Sequence, residues 1–252
     1  MCGTCGCGEP TRHAHHHGHE HPHRDLVDVE LDVLAHNDRI ATVNRRWLTE
    51  RNALAVNLMS SPGSGKTTLL ERTARDLSGA VPVSVVEGDQ ETELDAERIR
   101  TTGVRVIQVN TGAGCHLDAD MLRRALAELR PTAGSVLFVE NVGNLVCPAL
   151  FDLGEEHRAV VMSVTEGADK PAKYPHMFAT ADLVLVNKVD LLPYVDFDLE
   201  AFTVQLRRAR PGTTVLPVSA TRGDGLDAWF GWVRHHATHL GAPVVAARGE
   251  AR

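Results

Sequence analysis

Residues 54–68 read LAVNLMSSPGSGKTT: a short apolar run leads directly into a glycine-rich loop that ends in Lys-Thr. A helical pattern follows near 66–78, so the segment has the strand–loop–helix order of a phosphate-binding P-loop. Gly63 and Gly65 allow the backbone to curl until its N–H groups face an anion. Ser60 stands where the usual pattern has its first glycine, which weakens the bare motif match but leaves its context intact. The stretch therefore predicts a nucleotide pocket.

The side chains of this loop have separate predicted tasks. The ammonium group of Lys66 would reach the β- and γ-phosphates of a nucleotide, and the Thr67 hydroxyl would ligate Mg²⁺. Together with Mg²⁺ and the loop N–H groups, Lys66 would stabilise charge on the transferring phosphoryl group. Lys66 and Thr67 are therefore predicted catalytic residues. The predicted nucleotide-binding residues of the loop are Gly63, Ser64, Gly65, Lys66, Thr67 and Thr68.

The rest of the chain alternates β-branched runs with helical stretches. The predicted strands are 54–59, 83–86, 104–109, 135–139, 159–164, 183–186 and 214–218. The predicted helices lie near 66–78, 93–102, 118–129, 172–179, 199–209 and 225–239. Such alternation, with strands that are apolar throughout, favours an α/β fold: a mainly parallel sheet of about seven strands with helices on both faces.

Composition divides the chain into a tail, a domain and a short end. Residues 1–24 are rich in Cys, His and Gly and have little to bury, so we expect a flexible metal-binding tail. Residues 25–241 form the predicted nucleotide-binding domain, and residues 242–252 a short mobile tail. Apolar residues recur at helical spacing over 28–50, which predicts an amphipathic lead-in helix that could be broken near residues 37–38.

Charge and hydropathy exclude several classes of partner. The 252 residues carry a formal net charge of −7, which gives no global electrostatic case for nucleic acid or an anionic membrane. No apolar run approaches the roughly 20 residues of a membrane span. The Cys- and His-rich start also has no apolar signal-peptide core. We therefore expect a cytoplasmic protein without nucleic-acid or membrane partners.

A second motif specifies the base. A predicted strand ends in NKVD at 187–190, the pattern NKxD. The Asp190 carboxylate can accept hydrogen bonds from guanine N1–H and the exocyclic amine, whereas adenine would leave this charge unpaired. Lys188 would lie along the base, Asn187 would hold the loop, and a backbone N–H after the last strand could meet guanine O6. GTP and GDP are thus the predicted nucleotides. The predicted base-binding residues are Asn187, Lys188, Asp190, Ser219 and Ala220.

Two acidic residues at strand ends could complete a magnesium site. Asp89 follows the second strand and Glu140 ends the fourth, and ligands of open α/β sheets gather at the carboxyl ends of strands. Mg²⁺ prefers hard oxygen ligands and keeps several waters, so Thr67 with one or two carboxylates suffices. Asp95 is predicted to orient the attacking water. No residue stands out as an arginine finger, so we expect slow intrinsic turnover.

The tail offers ligands for soft metal ions. Cys2, Cys5 and Cys7 lie within six residues and are separated by glycines, so they can fold around one ion. If the initiator Met is removed, the freed amine of Cys2 becomes a fourth donor. Three thiolates and an amine suit square-planar Ni(II), whereas a tetrahedral sulfur-rich site suits Zn(II). The tail histidines are a predicted low-affinity nickel supply: His13, His15, His16, His17, His19, His21 and His23.

A second candidate metal site lies inside the domain. Cys115-His116 and Cys147 follow different predicted strands and would emerge at the same edge as the nucleotide. Three ligands leave an open position, which a water or a second copy of the chain could fill. A buried, purely structural cysteine is the alternative that composition leaves open.

Several motifs together make the chain similar to the HypB family, GTPases that help to insert nickel into nickel–iron hydrogenases. The resemblance covers essentially the whole chain. It rests on the Cys-x-x-Cys-x-Cys start, the His-rich stretch, SSPGSGKTT, EGDQET, TGAGCHLDA, ENVGNLVCP, TEGADKPAKYP and NKVD. The paired stretches TGAGCHLDA and ENVGNLVCP are far more specific than a P-loop match.

The resemblance implies a P-loop NTPase of the SIMIBI class that forms a GTP-dependent homodimer. It implies a tight nickel site at Cys2, Cys5 and Cys7. It also implies a weaker site for Zn or Ni at the dimer interface, formed by Cys115, His116 and Cys147. The implied partners are a small zinc-containing metallochaperone of the HypA type and the hydrogenase large-subunit precursor.

Three other functions compete with this interpretation. A urease-type nickel GTPase has the same pocket but would be expected to show a Cys-Pro-His motif, whereas Cys147-Pro148 is followed by Ala149. A nickel storage protein with a vestigial nucleotide domain would have no need of Lys66 and Asp190. An acyl-CoA mutase chaperone GTPase has no reason to keep the Cys and His clusters.

Overall fold

The computed structural model describes residues 22–89, 94–112 and 114–238, with side chains from residue 31 onward. The strands are β1 Leu54–Ser60, β2 Val83–Asp89, β3 Arg105–Asn110, β4 Val136–Gly143, β5 His157–Ser163, β6 Leu183–Asn187 and β7 Thr214–Pro217. The helices are α1 Pro22–Thr49, α2 Lys66–Leu77, α3 Leu94–Arg100, α4 Ala119–Leu129, α5 Cys147–Leu150, α6 Lys170–Lys173, α7 Pro175–Thr180, α8 Leu199–Ala209 and α9 Leu226–Thr238. Short 3₁₀ segments occupy Val164–Glu166 and Val189–Tyr194.

The seven strands form one sheet in the order β3-β2-β4-β1-β5-β6-β7. Every neighbouring pair runs parallel, which confirms the predicted α/β architecture. Because all strands point the same way, the loops that follow β1, β2, β4 and β6 meet at one edge of the sheet. That edge carries the predicted nucleotide pocket.

Strand β1 is mostly apolar because both of its faces are covered. All seven of its residues are buried, because helices cover both faces of the sheet. Leu54, Val56 and Leu58 pack into the cluster that contains Trp229 of α9 and the apolar face of α2. Ala55 packs on the opposite face, in the cluster built from the end of α1 and from α4.

Helix α1 is continuous from Pro22 to Thr49, so the predicted break near residues 37–38 is wrong. Asn37 and Asn44 lie on its buried face and are almost fully enclosed. The Asn37 amide donates to the carbonyl of Asp152 at 2.7 Å and accepts from the N–H of Ala119 at 2.9 Å. These polar residues anchor the helix to the domain instead of breaking it.

Two other local expectations changed. The predicted helix near 172–179 is split into α6 and α7, since Tyr174 has non-helical backbone angles (φ −127°, ψ +56°) and Pro175 begins the second helix. The predicted tails lie outside the described residues, except that residues 22–24 belong to α1. Within the described part of the chain, no helix is long and apolar enough to cross a membrane.

Candidate nucleotide pocket and metal site

The P-loop connects the end of β1 to the first residue of α2, as predicted. Gly63 and Gly65 have φ angles of +75° and +89°, and residues with a Cβ atom rarely adopt such backbone angles. A Cβ atom at Gly65 would lie 2.6 Å from Asn187 Nδ2, so this glycine also permits a close approach. The loop lines a cleft of about 560 Å³ together with the ends of β2 and β4, Asp95, Arg98 and Lys188.

The two predicted catalytic residues of the loop converge on Glu140. Lys66 Nζ lies 2.8 Å from Glu140 Oε1, and the Thr67 hydroxyl donates to the same oxygen at 2.7 Å. Thr67 Oγ1 also lies 3.0 Å from Asp95 Oδ2. The structure therefore brings Lys66, Thr67, Asp95 and Glu140 together, and Asp89 lines the same cleft.

The donor set of this cleft fits a hard divalent cation. Glu140 and Glu87 are buried, and among the described residues neither Glu140 Oε2 nor Glu87 Oε2 has a hydrogen-bond partner. Buried carboxylate oxygens without partners are costly, and Mg²⁺ takes oxygen ligands of this kind. Thr67, Asp89 and Glu140 are thus suited to hold Mg²⁺.

Glu87 is a residue of this pocket that the motif analysis did not single out. Burial is the main cause that raises the pKa of Glu87, to about 8, and the charges of Glu140 and Asp89 raise it further. Lys66 opposes these effects without outweighing them. The available sequence signal was an acidic residue that directly follows the β-branched run VSVV in the same strand.

Arg98 also lies in the cleft and was not predicted. Its guanidinium contacts Thr68 Oγ1 at 3.2 Å, Glu71 Oε2 at 3.0 Å and Asp95 Oδ1 at 3.3 Å. Its position on α3, three residues after Asp95, was the available signal. These carboxylates pair with its guanidinium group, which lies beside the P-loop.

The base-recognition residues are tied to the P-loop. Asn187 Nδ2 donates to the carbonyl of Ser64 at 2.9 Å, and Lys188 Nζ donates to that of Gly63 at 2.7 Å. Lys188 has a φ angle of +62°, which turns the chain sharply after β6. This agrees with the predicted role of Asn187 as the residue that holds the loop.

Asp190 is oriented by Ser219. The Ser219 hydroxyl donates to Asp190 Oδ1 at 2.6 Å, which leaves Oδ2 with Arg222 at 3.9 Å. The first three backbone N–H groups after β7 are engaged: Val218 donates to Val186, Ser219 to Asp224, and Ala220 to Asn187 Oδ1. Guanine O6 would therefore have to displace Asn187 from Ala220 or use a later donor.

The predicted inner metal ligands meet at the same edge. One ligand atom from each of Cys115, His116 and Cys147 can be chosen so that all three lie within 4.8 Å of one another. Cys115 Sγ lies 3.7 Å from His116 Nδ1, and the His116 ring stacks on Phe151 with centroids 3.9 Å apart. Within the described residues, no other group of three or more Cys, His or acidic side chains has this spacing.

The environment of this cluster sets its protonation. Burial lowers the pKa of His116, although Asp118 opposes the shift, and this favours the neutral imidazole that binds metals. Contact with Cys115 is the main cause that raises the pKa of Cys147, and burial adds to it. A metal ion would therefore displace protons from the thiols when it binds.

A short connection joins the pocket to this cluster. Asn141 is buried directly after Glu140, and its Oδ1 accepts the N–H of Leu117, the neighbour of His116, at 3.0 Å. On the other strand, a Cβ atom at Gly88 would lie 2.7 Å from Leu117 Cγ. Leu117 is thus held between two residues that flank the predicted magnesium ligands.

The tail metal sites lie outside this description. Cys2, Cys5, Cys7 and the histidines from His13 to His21 fall outside the described residues. His23 belongs to the first turn of α1, but its side chain is not among those described.

Comparison with known proteins identifies the family. A family profile for the CobW/HypB/UreG nucleotide-binding domain matches residues 54–217. The hydrogenase maturation factor HypB of Azotobacter vinelandii is 53% identical over 228 residues, which are 90% of this chain and 75% of that protein.

Two solved structures have the same fold. The crystal structure of hydrogenase maturation factor HypB from Archaeoglobus fulgidus has 39% identity and a TM-score of 0.76, over 81% of this chain and 100% of that one. The structure of HypB from Helicobacter pylori in complex with nickel has 35% identity and a TM-score of 0.75, over 80% and 95%. With its P-loop and seven-stranded parallel sheet, this chain is a SIMIBI-class P-loop NTPase that belongs to the HypB hydrogenase maturation factors of the CobW/HypB/UreG family.

Proposed function

We propose that this chain binds GTP with Mg²⁺ and hydrolyses it slowly to GDP and phosphate. The change of nucleotide state would load and release nickel during maturation of a nickel–iron hydrogenase. The observation that carries the proposal is the connection from Glu140 through Asn141 to the Cys115/His116 loop. Through this connection, a movement of Glu140 when the nucleotide phosphates bind would be transmitted to the metal ligands Cys115 and His116.

Nucleotide binding would use the P-loop N–H groups and Lys66 for the phosphates and Asp190 for guanine. Mg²⁺, held by Thr67, Asp89 and Glu140, would supply charge stabilisation at the β- and γ-phosphates. Asp95, within hydrogen-bond distance of Thr67, would orient the attacking water. Arg98 is occupied by Glu71 and Asp95, which is consistent with slow turnover.

Nucleotide binding would rearrange Glu140. In this structure Lys66 is paired with Glu140. A triphosphate would compete for the ammonium group of Lys66 and release Glu140 towards the magnesium site. Asn141 adjoins Glu140 and accepts the N–H of Leu117, so a shift of Glu140 would change the support of the Cys115/His116 loop.

Nickel would be the cargo of the inner site, with Zn as an alternative occupant. Cys115, His116 and Cys147 supply three ligands, and a GTP-dependent homodimer would complete the coordination. Cys2, Cys5 and Cys7 would form a second, tighter nickel site, and the tail histidines a reserve. We further propose cytoplasmic action with a HypA-type metallochaperone and the hydrogenase large-subunit precursor.

Directional transfer requires that nickel affinity differ between nucleotide states. The test uses the full chain with Cys2, Cys5 and Cys7 replaced by Ser, and measures Ni(II) affinity by competition with a chelator. We expect at least a tenfold difference between Mg-GDP and a non-hydrolysable Mg-GTP analogue. Cys115→Ser should abolish the difference. Asn141→Ala should reduce it while leaving both nucleotides bound.

Equal nickel affinities in both states would refute the switch. A storage protein would bind several Ni(II) ions, show no nucleotide effect and release no phosphate. A urease role would instead show as lost urease activity, with normal hydrogenase activity, in a strain that lacks the gene. Rescue of hydrogenase activity by added nickel in that strain would support delivery.

A further inference from the structure

A pair of histidines lies at the edge of the sheet opposite the nucleotide. His157 is the first residue of β5, so it stands at the amino edge, whereas the P-loop follows the carboxyl end of the adjacent β1. Its Nε2 atom lies 2.8 Å from Nδ1 of His236 on α9, and the two ring centroids are 4.1 Å apart. These residues play no part in the proposed nucleotide or metal chemistry.

A carboxylate lies beside the first histidine of this pair. Asp182 Oδ2 lies 3.5 Å from His157 Nδ1, and Asp182 is itself held by Arg210 at 2.7 Å and by the backbone N–H of Arg158 at 2.9 Å. A carboxylate beside Nδ1 favours the proton on that nitrogen and leaves the Nε2 lone pair directed at His236. Metal-binding histidines are commonly supported in this way by a carboxylate on the second ring nitrogen.

The spacing of the two nitrogens is compatible with both imidazoles binding one metal ion. Two metal–nitrogen bonds of about 2.05 Å that meet at 90° separate their nitrogens by about 2.9 Å, and a tetrahedral angle separates them by about 3.4 Å. The observed 2.8 Å is close to the first value. Ni(II) and Cu(II) take such right-angled nitrogen ligands, whereas Zn(II) is usually tetrahedral.

We propose that His157 Nε2 and His236 Nδ1 form a second metal site in which a Ni(II) or Cu(II) ion replaces the proton shared by the two imidazoles. The proton passes to water, no electrons are transferred, and waters fill the remaining positions. Both side chains are partly exposed, so the ion enters from solvent. The site is distinct from the Cys115, His116 and Cys147 cluster because it lies at the other edge of the sheet.

The chain carries its own reporter for this site. Trp232 contacts both rings, with centroid distances of 5.1 Å to His157 and 4.3 Å to His236, and Trp229 stacks on Trp232 at 5.7 Å. Trp47 packs on the opposite face of the sheet. The three tryptophans give three indole N–H resonances, and paramagnetic Ni(II) broadens those that lie near it.

The experiment titrates the full, metal-free and nucleotide-free chain with Ni(II) and follows the indole resonances by NMR. After the tail sites and the Cys115, His116 and Cys147 site are filled, we expect Trp232 and Trp229 to broaden at a Ni(II) concentration that leaves Trp47 sharp. His236→Phe should raise the midpoint of this broadening at least tenfold. His176→Phe, which replaces an exposed histidine of α7, is the matched control and should leave the midpoint unchanged.

Asp182→Asn provides a test that keeps both imidazoles. Loss of a supporting carboxylate typically weakens metal binding by 10- to 100-fold, so the midpoint should rise by about that factor. Equal broadening of all three indoles would overturn the proposal. So would an unchanged midpoint in either His236→Phe or Asp182→Asn. If a variant fails to fold, the order in which the three indole resonances of the wild-type chain broaden decides whether the proposal holds.

Discussion

The buried carboxyl group of Glu87 makes a quantitative prediction about stability. The residue is 2% exposed, its Oε2 atom has no partner among the described residues, and its pKa is raised from 4.5 to about 8. Near neutral pH it is therefore protonated in the folded chain and ionised in the unfolded chain. Glu87→Gln keeps the shape of the protonated acid and removes its titration.

The magnitude follows from the two pKa values. Between them the folded state holds one proton more than the unfolded state, so the free energy of unfolding falls by about 1.4 kcal/mol per pH unit as pH rises. From pH 6 to pH 9 this amounts to about 2.7 kcal/mol, because the fall levels off above the folded pKa of about 8. Glu87→Gln should lack this decline.

Urea unfolding of both proteins at pH 6 and pH 9 measures the effect. The difference between wild type and variant cancels the titration of other groups, and EDTA without nucleotide keeps cations away from the carboxylates. Glu128→Gln, on the exposed side of α4, is the matched control and should show no pH-dependent difference. If the Glu87→Gln difference changed by less than about 0.5 kcal/mol over this range, the assignment of a protonated Glu87 would be refuted.

Four further substitutions test other parts of the molecule. Asp190→Asn should weaken binding of a fluorescent GTP analogue by about 100-fold or more, because guanine loses its charged acceptor. Binding of xanthosine triphosphate should improve. Unchanged GTP affinity would contradict the assignment of Asp190 to the base. Gly154→Ala should lower the free energy of unfolding by about 3 kcal/mol, since φ is +92° and the new Cβ would lie 2.4 Å from the Ala41 carbonyl. Gly231→Ala, with open space around it in α9, should instead stabilise by about 0.5–1 kcal/mol, and a thermal melt distinguishes the two signs. Asn44→Ala leaves two buried carbonyls without their donor and should lower the free energy of unfolding in urea by about 2–4 kcal/mol. A decrease of less than about 1 kcal/mol would show that α1 is held by its apolar contacts alone.

The parts of the fold that depend on short-range patterns could be predicted. Each predicted strand lies within a few residues of an observed one, because strands of a sheet covered by helices are rich in apolar and β-branched residues. The P-loop and the 187–190 loop were likewise predictable, since their chemistry requires particular residues at fixed spacing. The order of the strands in the sheet is not encoded in any such local pattern.

The errors and omissions arise where distant residues decide the outcome. Asn37 is typical of a helix break, yet it is held in α1 by Asp152 and Ala119, which lie 115 and 82 residues further along the chain. Asn141 looks like an ordinary polar residue at a strand end, and its role depends on Leu117 from another loop. The raised pKa of Glu87 depends on Glu140 and Asp89, which only the folded sheet brings near it.

The position of β1 in the sheet also has a consequence for synthesis on the ribosome. This strand is made first but pairs with β4 and β5, so its hydrogen-bonding edges have no partners until residues 136–163 have emerged. Parallel pairings across such sequence distances form slowly and leave apolar strands exposed meanwhile. A nascent chain that stops before β5 therefore leaves one edge of β1 unpaired, although all seven residues of this strand are buried in the folded protein.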